Sequence, residues 1–328
     1  MATLTVVVTD LGYPNYDSER EQVEAIGAEF LTAECTTAEE VAEATRDADG
    51  VLNRAAPVTA EVIEQMERCK VIARYGIGVD NVDVEAATRK GIVVANVPGY
   101  CVEEVTDQAL ALMLAAWRKV VSHDKAVRTG AWDISFRDPV YRLQGRTLGL
   151  LGLGAIARRL VAKVAGFGFR IIAYDPYVSA DDAAKMGVEM VDLDALFSES
   201  DLLSLHAPAT PETRHVVSAE RLARMKGTAV LVNTSRGPLI DEDALIEALK
   251  AKRISAVGLD VYEQEPPDTS SELFQLDNII VTDHAAWYSE DSLAELQRRC
   301  AMAVCAVLTG RRPESPVNPE VLERLGIE

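Results

Sequence analysis

Short apolar runs alternate with helix-length segments whose apolar positions recur every three to four residues, almost from one end of the chain to the other. Val6-Val7-Val8 reads as a buried strand, and the stretch from about Ser18 as the helix after it. Thr37-Ala38-Glu39-Glu40 has capping-box spacing and should open another helix. Gly50–Asn53 predicts a strand, Glu61–Arg68 a helix and Lys70–Ala73 the next strand. Such a βαβα series implies a parallel sheet covered by helices on both faces, so residues 1–98 read as one small α/β domain. Pro98-Gly99 interrupts the pattern. A long helical stretch then runs from Glu103 past Trp117, followed by a polar, irregular connection to about Leu143.

A second series starts there. Its strands are expected at Thr147–Leu151, Arg170–Tyr174, Leu202–Leu205, Ala229–Asn233, Ala256–Leu259 and Ile279–Thr282. Six such runs separated by helices match the strand count of two mononucleotide-binding halves. Ser289–Leu308 reads as a helix leaving this second domain, and Pro313–Pro319 as a short terminal tail.

The first strand of the second series runs into Gly152-Leu153-Gly154-Ala155-Ile156-Ala157, which opens the next helix. G-x-G-x-x-A is a weak pattern alone and a much stronger one between strand and helix. Gly152 permits the tight turn, and Gly154 lets backbone approach a pyrophosphate at the helix N-terminus. The following strand ends in Asp175, about 20 residues on, where a carboxylate meets the ribose hydroxyls and repels a 2′-phosphate. Pro176 and Tyr177, not an arginine, come next, which favours NAD over NADP.

His206, Arg236, Asp260 and His284 each follow an expected strand, where an open parallel sheet places its binding crevice. His123 and His215 have no such context and read as surface residues. Hydride transfer to a 2-keto acid needs a cation to hold the carboxylate, and the planar fork of Arg236 suits that work. It also needs an acid for the developing alkoxide, a role for histidine, and a carboxylate beside that histidine to favour its protonated form. His284 and Glu265 are the expected pair.

Composition narrows the setting. The chain has 328 residues, 48% of them hydrophobic and 26% charged, enough for two domain cores. Fifty-two Asp+Glu against thirty-three Lys+Arg leave a net charge of -19, which argues against nucleic acid or membrane partners. The longest apolar run, Ala109–Trp117, is far short of the ~20 residues that span a bilayer. No basic segment precedes an apolar one at Met1–Leu4, so a cytoplasmic location is expected. Five scattered cysteines without a C-x-x-C fit packed, reduced thiols, and no metal site is expected.

Gly152–Ala157 with Asp175, then Val232–Gly237, Asp260–Pro266 and Asp283–Ala286, stand in the order found in D-2-hydroxyacid dehydrogenases, which the chain resembles over essentially its whole length. The resemblance implies a Rossmann NAD-binding domain, residues 99–287, inserted into a flavodoxin-like substrate domain built from 1–98 and 288–328. It implies Arg236, Glu265 and His284 as the catalytic set. It adds Thr106, His206, Ala207, Thr213, Thr234 and Asp260 to Gly152, Gly154, Ala155, Ile156 and Asp175 as cofactor contacts. It also implies a small 2-keto or 2-hydroxy carboxylate substrate, and a homodimer formed through the helical region after Pro98.

Two branches of the family are echoed. Asn53-Arg54-Ala55 and Arg74–Asp83 resemble phosphoglycerate dehydrogenase. There Arg54, Arg74, Tyr75 and Ile77 would meet substrate, and the amides of Gly76–Gly78 would cradle its carboxylate. Asp175-Pro176-Tyr177 and His284–Glu290 are closer to the carboxy-terminal binding protein corepressors, in which Arg74 and Trp287 match active-site positions. A phosphoglycerate-type enzyme and an NADH-sensing, peptide-binding scaffold are therefore the alternatives to a dehydrogenase of small keto acids. Ala157 stands in place of the usual third glycine and Pro238 where glycine is common, and no regulatory domain is expected after the core.

Overall fold

The computed structural model describes residues 3–134 and 139–327. Contacts divide the chain into two units, Met1–Cys101 with Ser289–Glu328, and Val102–Tyr288.

In the first unit the strands are β1 (Thr5–Val8), β2 (Glu29–Thr32), β3 (Gly50–Asn53), β4 (Val71–Arg74) and β5 (Val93–Ala95). All pair in parallel in the order β2-β1-β3-β4-β5, the doubly wound order of flavodoxin-like folds. Strand order reverses between β1 and β3, which brings the loops after them, with Asp10 and Arg54, to one place. Thr37 caps the helix Ala38–Thr45 in the expected capping box with Glu40. The helix Glu290–Leu308 packs on β3 and β4, where Val304 leaves no room for a side chain at Gly50.

The second unit holds β6 (Thr147–Leu151), β7 (Arg170–Tyr174), β8 (Val188–Met190), β9 (Leu202–Leu205), β10 (Val230–Asn233), β11 (Ala256–Leu259) and β12 (Ile279–Val281). Counted from β6, the order is 3-2-1-4-5-6-7, the Rossmann order with a seventh parallel strand at its edge. Alternate residues feed two cores. Leu151, Ile172, Leu203 and Leu231 point to one face, and Leu150, Ala173, Leu202 and Val232 to the other.

The structure departs from the sequence pattern in three respects. Strands β2, β5 and β8 were not expected; each has three or four residues at a sheet edge, too short for a period to register. Pro313–Pro319 is no tail. Val317 donates to the Val94 carbonyl at 2.7 Å, and Asn318, 2% exposed, accepts from the Val94 amide at 2.8 Å, so this segment covers the open edge of β5. The long helix, Val102–Trp117, buries Ala109, Leu112, Met113 and Ala116 in its own unit, where Leu112 fills the space above Gly258. The unspent apolar surface lies on the next helix, Val120–Arg128, which buries no residue.

Candidate active site

The loops after β6 and β9 meet where the order of the larger sheet reverses. Gly152 has φ +89°, and a Cβ there would stand 2.9 Å from the carbonyl carbon of His206, so only glycine fits. Gly154 begins the helix Ala155–Lys163 without a side-chain cap, which leaves its first N–H groups open to an anion. Asp175 ends β7. One carboxylate oxygen accepts from Leu153 N and the other from Tyr177 N, both at 2.8 Å, which aims the group while leaving lone pairs for hydroxyls. His206 Nε2 and Thr234 Oγ1 are buried, and among the described residues nothing pairs with them. Burial pushes the His206 pKa down to about 4, so the ring is neutral. A cradle that excludes Cβ, an aimed carboxylate and two orphaned polar atoms fit a dinucleotide.

Other expected cofactor residues are occupied within the fold. Thr106 Oγ1 donates to the Val102 carbonyl, and Thr213 Oγ1 donates to Pro208 O at 2.7 Å. The Ala207 carbonyl accepts from Ser235 Oγ at 2.6 Å. Asp260 is fully buried. Its carboxylate accepts from Thr282 Oγ1 at 2.6 Å and from the amides of Ala285 and Ala286 at 3.0 Å, while its carbonyl accepts from His284 N. Asp260 thus holds the turn that presents His284. That turn needs holding, because His284 has φ +55°, a conformation that costs a non-glycine residue on the order of 1 kcal/mol.

His284 Nδ1 lies 2.6 Å from Glu265 Oε2, and Glu265 Oε1 accepts from Tyr262 N at 3.0 Å. Partial burial raises the Glu265 pKa, but the His284 bond and charge, the Tyr262 amide and the Arg236 guanidinium outweigh it, and the net shift is downward. An ionised Glu265 accepts, so Nδ1 carries the proton and Nε2 is left to exchange one. The two side chains keep 44% and 35% of their surface exposed, so a solute can reach them. Arg236 leads out of β10; Asn233 Nδ2 donates to its carbonyl and its own Nη1 to Ser235 O. Trp287, half-buried, meets Tyr288 edge to face.

In the smaller unit, Asp10 organises the Arg54 loop by accepting from the amides of Arg54, Ala55 and Ala56. The Arg54 guanidinium packs on Gly12 and lies 5.8 Å from the Tyr13 ring centroid. The Arg74–Gly78 loop is similarly tied. Gly76, at φ +143°, leaves room for the Arg74 guanidinium, the Ile77 carbonyl accepts from Asn96 Nδ2 at 2.7 Å, and Tyr75 is buried with its hydroxyl on Glu19 Oε1 at 2.9 Å. Glu19 also accepts from Gln297 at 2.9 Å and is 0% exposed, and among the described residues its Oε2 has no partner.

Burial raises the Glu19 pKa against the opposing hydrogen bonds from Gln297 and Tyr75. A carboxyl whose folded pKa lies above its unfolded value contributes most below that unfolded value and loses the contribution as pH rises through the folded one. Glu19→Gln should therefore raise Tm at pH 8 by roughly 2–4 °C, the equivalent of about 1 kcal/mol, and by less at pH 4. Calorimetry at both pH values checks this; a lower Tm at pH 8 contradicts it.

Residues 110–286 match the family profile described as D-isomer specific 2-hydroxyacid dehydrogenase, NAD binding domain. The chain belongs to that family. As a D-2-hydroxyacid dehydrogenase it is an NAD-dependent oxidoreductase that interconverts a 2-keto acid and a D-2-hydroxy acid by hydride transfer. It is 40% identical over 287 residues to a glyoxylate reductase of Korarchaeum cryptofilum, covering 86% of each chain. It is 42% identical over 325 residues to a D-3-phosphoglycerate dehydrogenase of Methanocaldococcus jannaschii, covering 98% of this chain but 61% of that one. Among solved structures, a D-lactate dehydrogenase from Aquifex aeolicus, complexed with NAD and lactic acid, superposes with a TM-score of 0.85 at 27% identity, covering 97% of this chain and 98% of that one.

One feature of this D-2-hydroxyacid dehydrogenase has no forerunner in the sequence pattern. His215, expected as a surface residue, has φ +50° and places Nε2 2.7 Å from Glu263 Oε1, where Arg214 also donates at 2.6 Å. His123 lies on the helix Val120–Arg128. Among the described residues no group of three or more His, Cys, Asp or Glu is placed to hold a metal, and no helix is long and apolar enough to cross a membrane.

Proposed function

We propose that Arg236, Glu265 and His284 carry the chemistry of a reversible dehydrogenase of small 2-keto acids in the cytoplasm. The observation that carries this reading is the 2.6 Å contact between His284 Nδ1 and an ionised Glu265. Gly152, Gly154 and the Ala155-Ile156 amides would hold the dinucleotide with Asp175 on its ribose, and it would supply or accept the hydride. Arg236 binds the substrate carboxylate through its two-pronged fork and draws charge toward the carbonyl oxygen. His284 delivers the Nε2 proton to the oxygen as it gains charge, and retrieves it in the reverse direction. Glu265 accepts from Nδ1 and fixes the direction of the ring. His206, Thr234 and Ala207 line the cofactor side; Thr106, Thr213 and Asp260 shape the loops around it.

The Glu265 role is testable. Glu265→Gln keeps the size of the side chain and loses the carboxylate that holds the Nδ1 proton, so kcat for keto-acid reduction should fall at least about tenfold with the NADH dissociation constant unchanged. An unchanged kcat contradicts the role given to Glu265.

Arg54 and Arg74 favour a second reading, a phosphoglycerate-type substrate whose phosphate needs further cations, with Tyr75–Gly78 as additional contacts. NADH oxidation with glyoxylate, hydroxypyruvate, branched and thioether keto acids, and phosphohydroxypyruvate separates the two. Preference for the phosphate-bearing acid selects the second. No turnover with any of them, beside NADH-dependent capture of a peptide, rejects both in favour of a scaffold.

A homodimer belongs to the same proposal. Val120, Val121 and Val127, with Trp132 at 88% and Ile134 at 74% exposure, leave an apolar surface that a second copy would cover. Light scattering at micromolar concentration should give twice the chain mass, and Val127→Glu should reduce it to one. A monomeric wild-type protein refutes this part.

A further inference from the structure

We infer that His215 is a positioning residue that couples the loop bearing Arg236 to the loop bearing Glu265; this rests on the catalytic roles proposed above for those two residues. His215 ends the loop that follows β9, and it is tied at both ends. Its backbone N–H donates to the Pro238 carbonyl at 2.8 Å, two residues beyond Arg236. Its ring Nε2 meets Glu263 Oε1 at 2.7 Å, two residues before Glu265.

The loops so joined are already in contact. A Cβ on Gly237 would overlap the carbonyl of Tyr262 and the nitrogen of Glu263, so the peptide after Arg236 lies directly on the peptide before Glu265. Contact alone sets a distance of approach and does not stop one loop from sliding over the other. A side chain anchored to one loop by its backbone and to the other by its ring does.

Glu263 is held from two further directions. Arg214 donates to the oxygen that His215 meets, and the Glu263 amide donates to Glu242 Oε1. The Arg214 pair is 55% exposed on the arginine side and by itself fixes little. The imidazole has fewer rotatable bonds than the arginine and is the stiffer link, and it sits on a backbone of positive φ. From Glu263 the path runs through Tyr262, whose amide donates to Glu265 Oε1, to the carboxylate that aligns His284.

The test uses kinetic separation, because a general loss of stability would not respect it. His215→Leu should lower kcat for keto-acid reduction about tenfold with the NADH dissociation constant unchanged. His215→Gln, whose amide nitrogen can occupy the Nε2 position, should restore most of it. In a Glu265→Gln background, where the aligned carboxylate is already gone, His215→Leu should cost less than twofold. Glu263→Ala should reproduce His215→Leu, with the double variant no worse than either, which keeps the proposal testable should one variant fold poorly. An equal loss in both backgrounds, no rescue by glutamine, weakened NADH binding or no loss at all overturns the inference. Failure of the underlying assignment shows separately, as an unchanged kcat in Glu265→Gln alone.

Discussion

His284→Ala should lower kcat for keto-acid reduction by about 10²- to 10⁴-fold and leave the NADH dissociation constant within twofold. The ring meets Glu265 on one side and leaves Nε2 to exchange a proton, so its removal takes away the acid and no feature of the Gly152–Asp175 cradle. Arg236→Ala should cost a comparable factor, chiefly in kcat/KM, because in the proposed mechanism the guanidinium both anchors the carboxylate and stabilises charge on the carbonyl oxygen. Arg236→Lys keeps the charge and loses the fork, and should recover only part of the loss. Because Glu265 acts through His284, adding Glu265→Gln to His284→Ala should change little. Steady-state rates with fluorescence titration of NADH check all four variants. Turnover near wild type in both His284→Ala and Arg236→Ala would remove the catalytic assignment.

The second large effect is expected at Gly237. The atoms that an added Cβ would strike there are main-chain atoms of Tyr262 and Glu263, not the movable end of a side chain. Relief therefore requires the Arg236 and Glu265 loops to part. Gly237→Ala should cost about 1–3 kcal/mol in stability, as overpacking does, and at least about tenfold in kcat. By contrast an alanine at Gly166, with nothing within 4 Å of its Cβ and no positive φ, should leave activity intact. Denaturant titration and kinetics on the two variants side by side test this; equal behaviour contradicts it.

Much of this was legible in the sequence because it is local. Gly152, Gly154 and Asp175 announce a strand–turn–helix that accepts a dinucleotide, and Thr37 with Glu40 announces a helix start. Arg236 and His284 stand behind expected strands, which marks them, with Glu265 as the partner of His284, as candidates for the chemistry. Other parts were not legible. The His215–Glu263 pair joins residues 48 apart, and the Glu19–Gln297 bond joins residues 278 apart. Neither belongs to a motif, and each side chain alone reads as an ordinary surface polar group.

Asp260 shows the division within one residue. Its position after a strand end marked it as part of a site, but only the tertiary structure revealed that its carboxylate is spent on the turn that presents His284. The sequence by itself determined the periodicity, and hence two parallel sheets, together with the order in which the reactive residues arrive at strand ends. Tertiary structure alone decided which loops interlock, which acids stay buried and which apolar helix face is left uncovered. The reason is physical: hydrophobic period and turn chemistry act over a few residues, whereas a hydrogen bond between distant loops exists only after the sheet has set the distance between them.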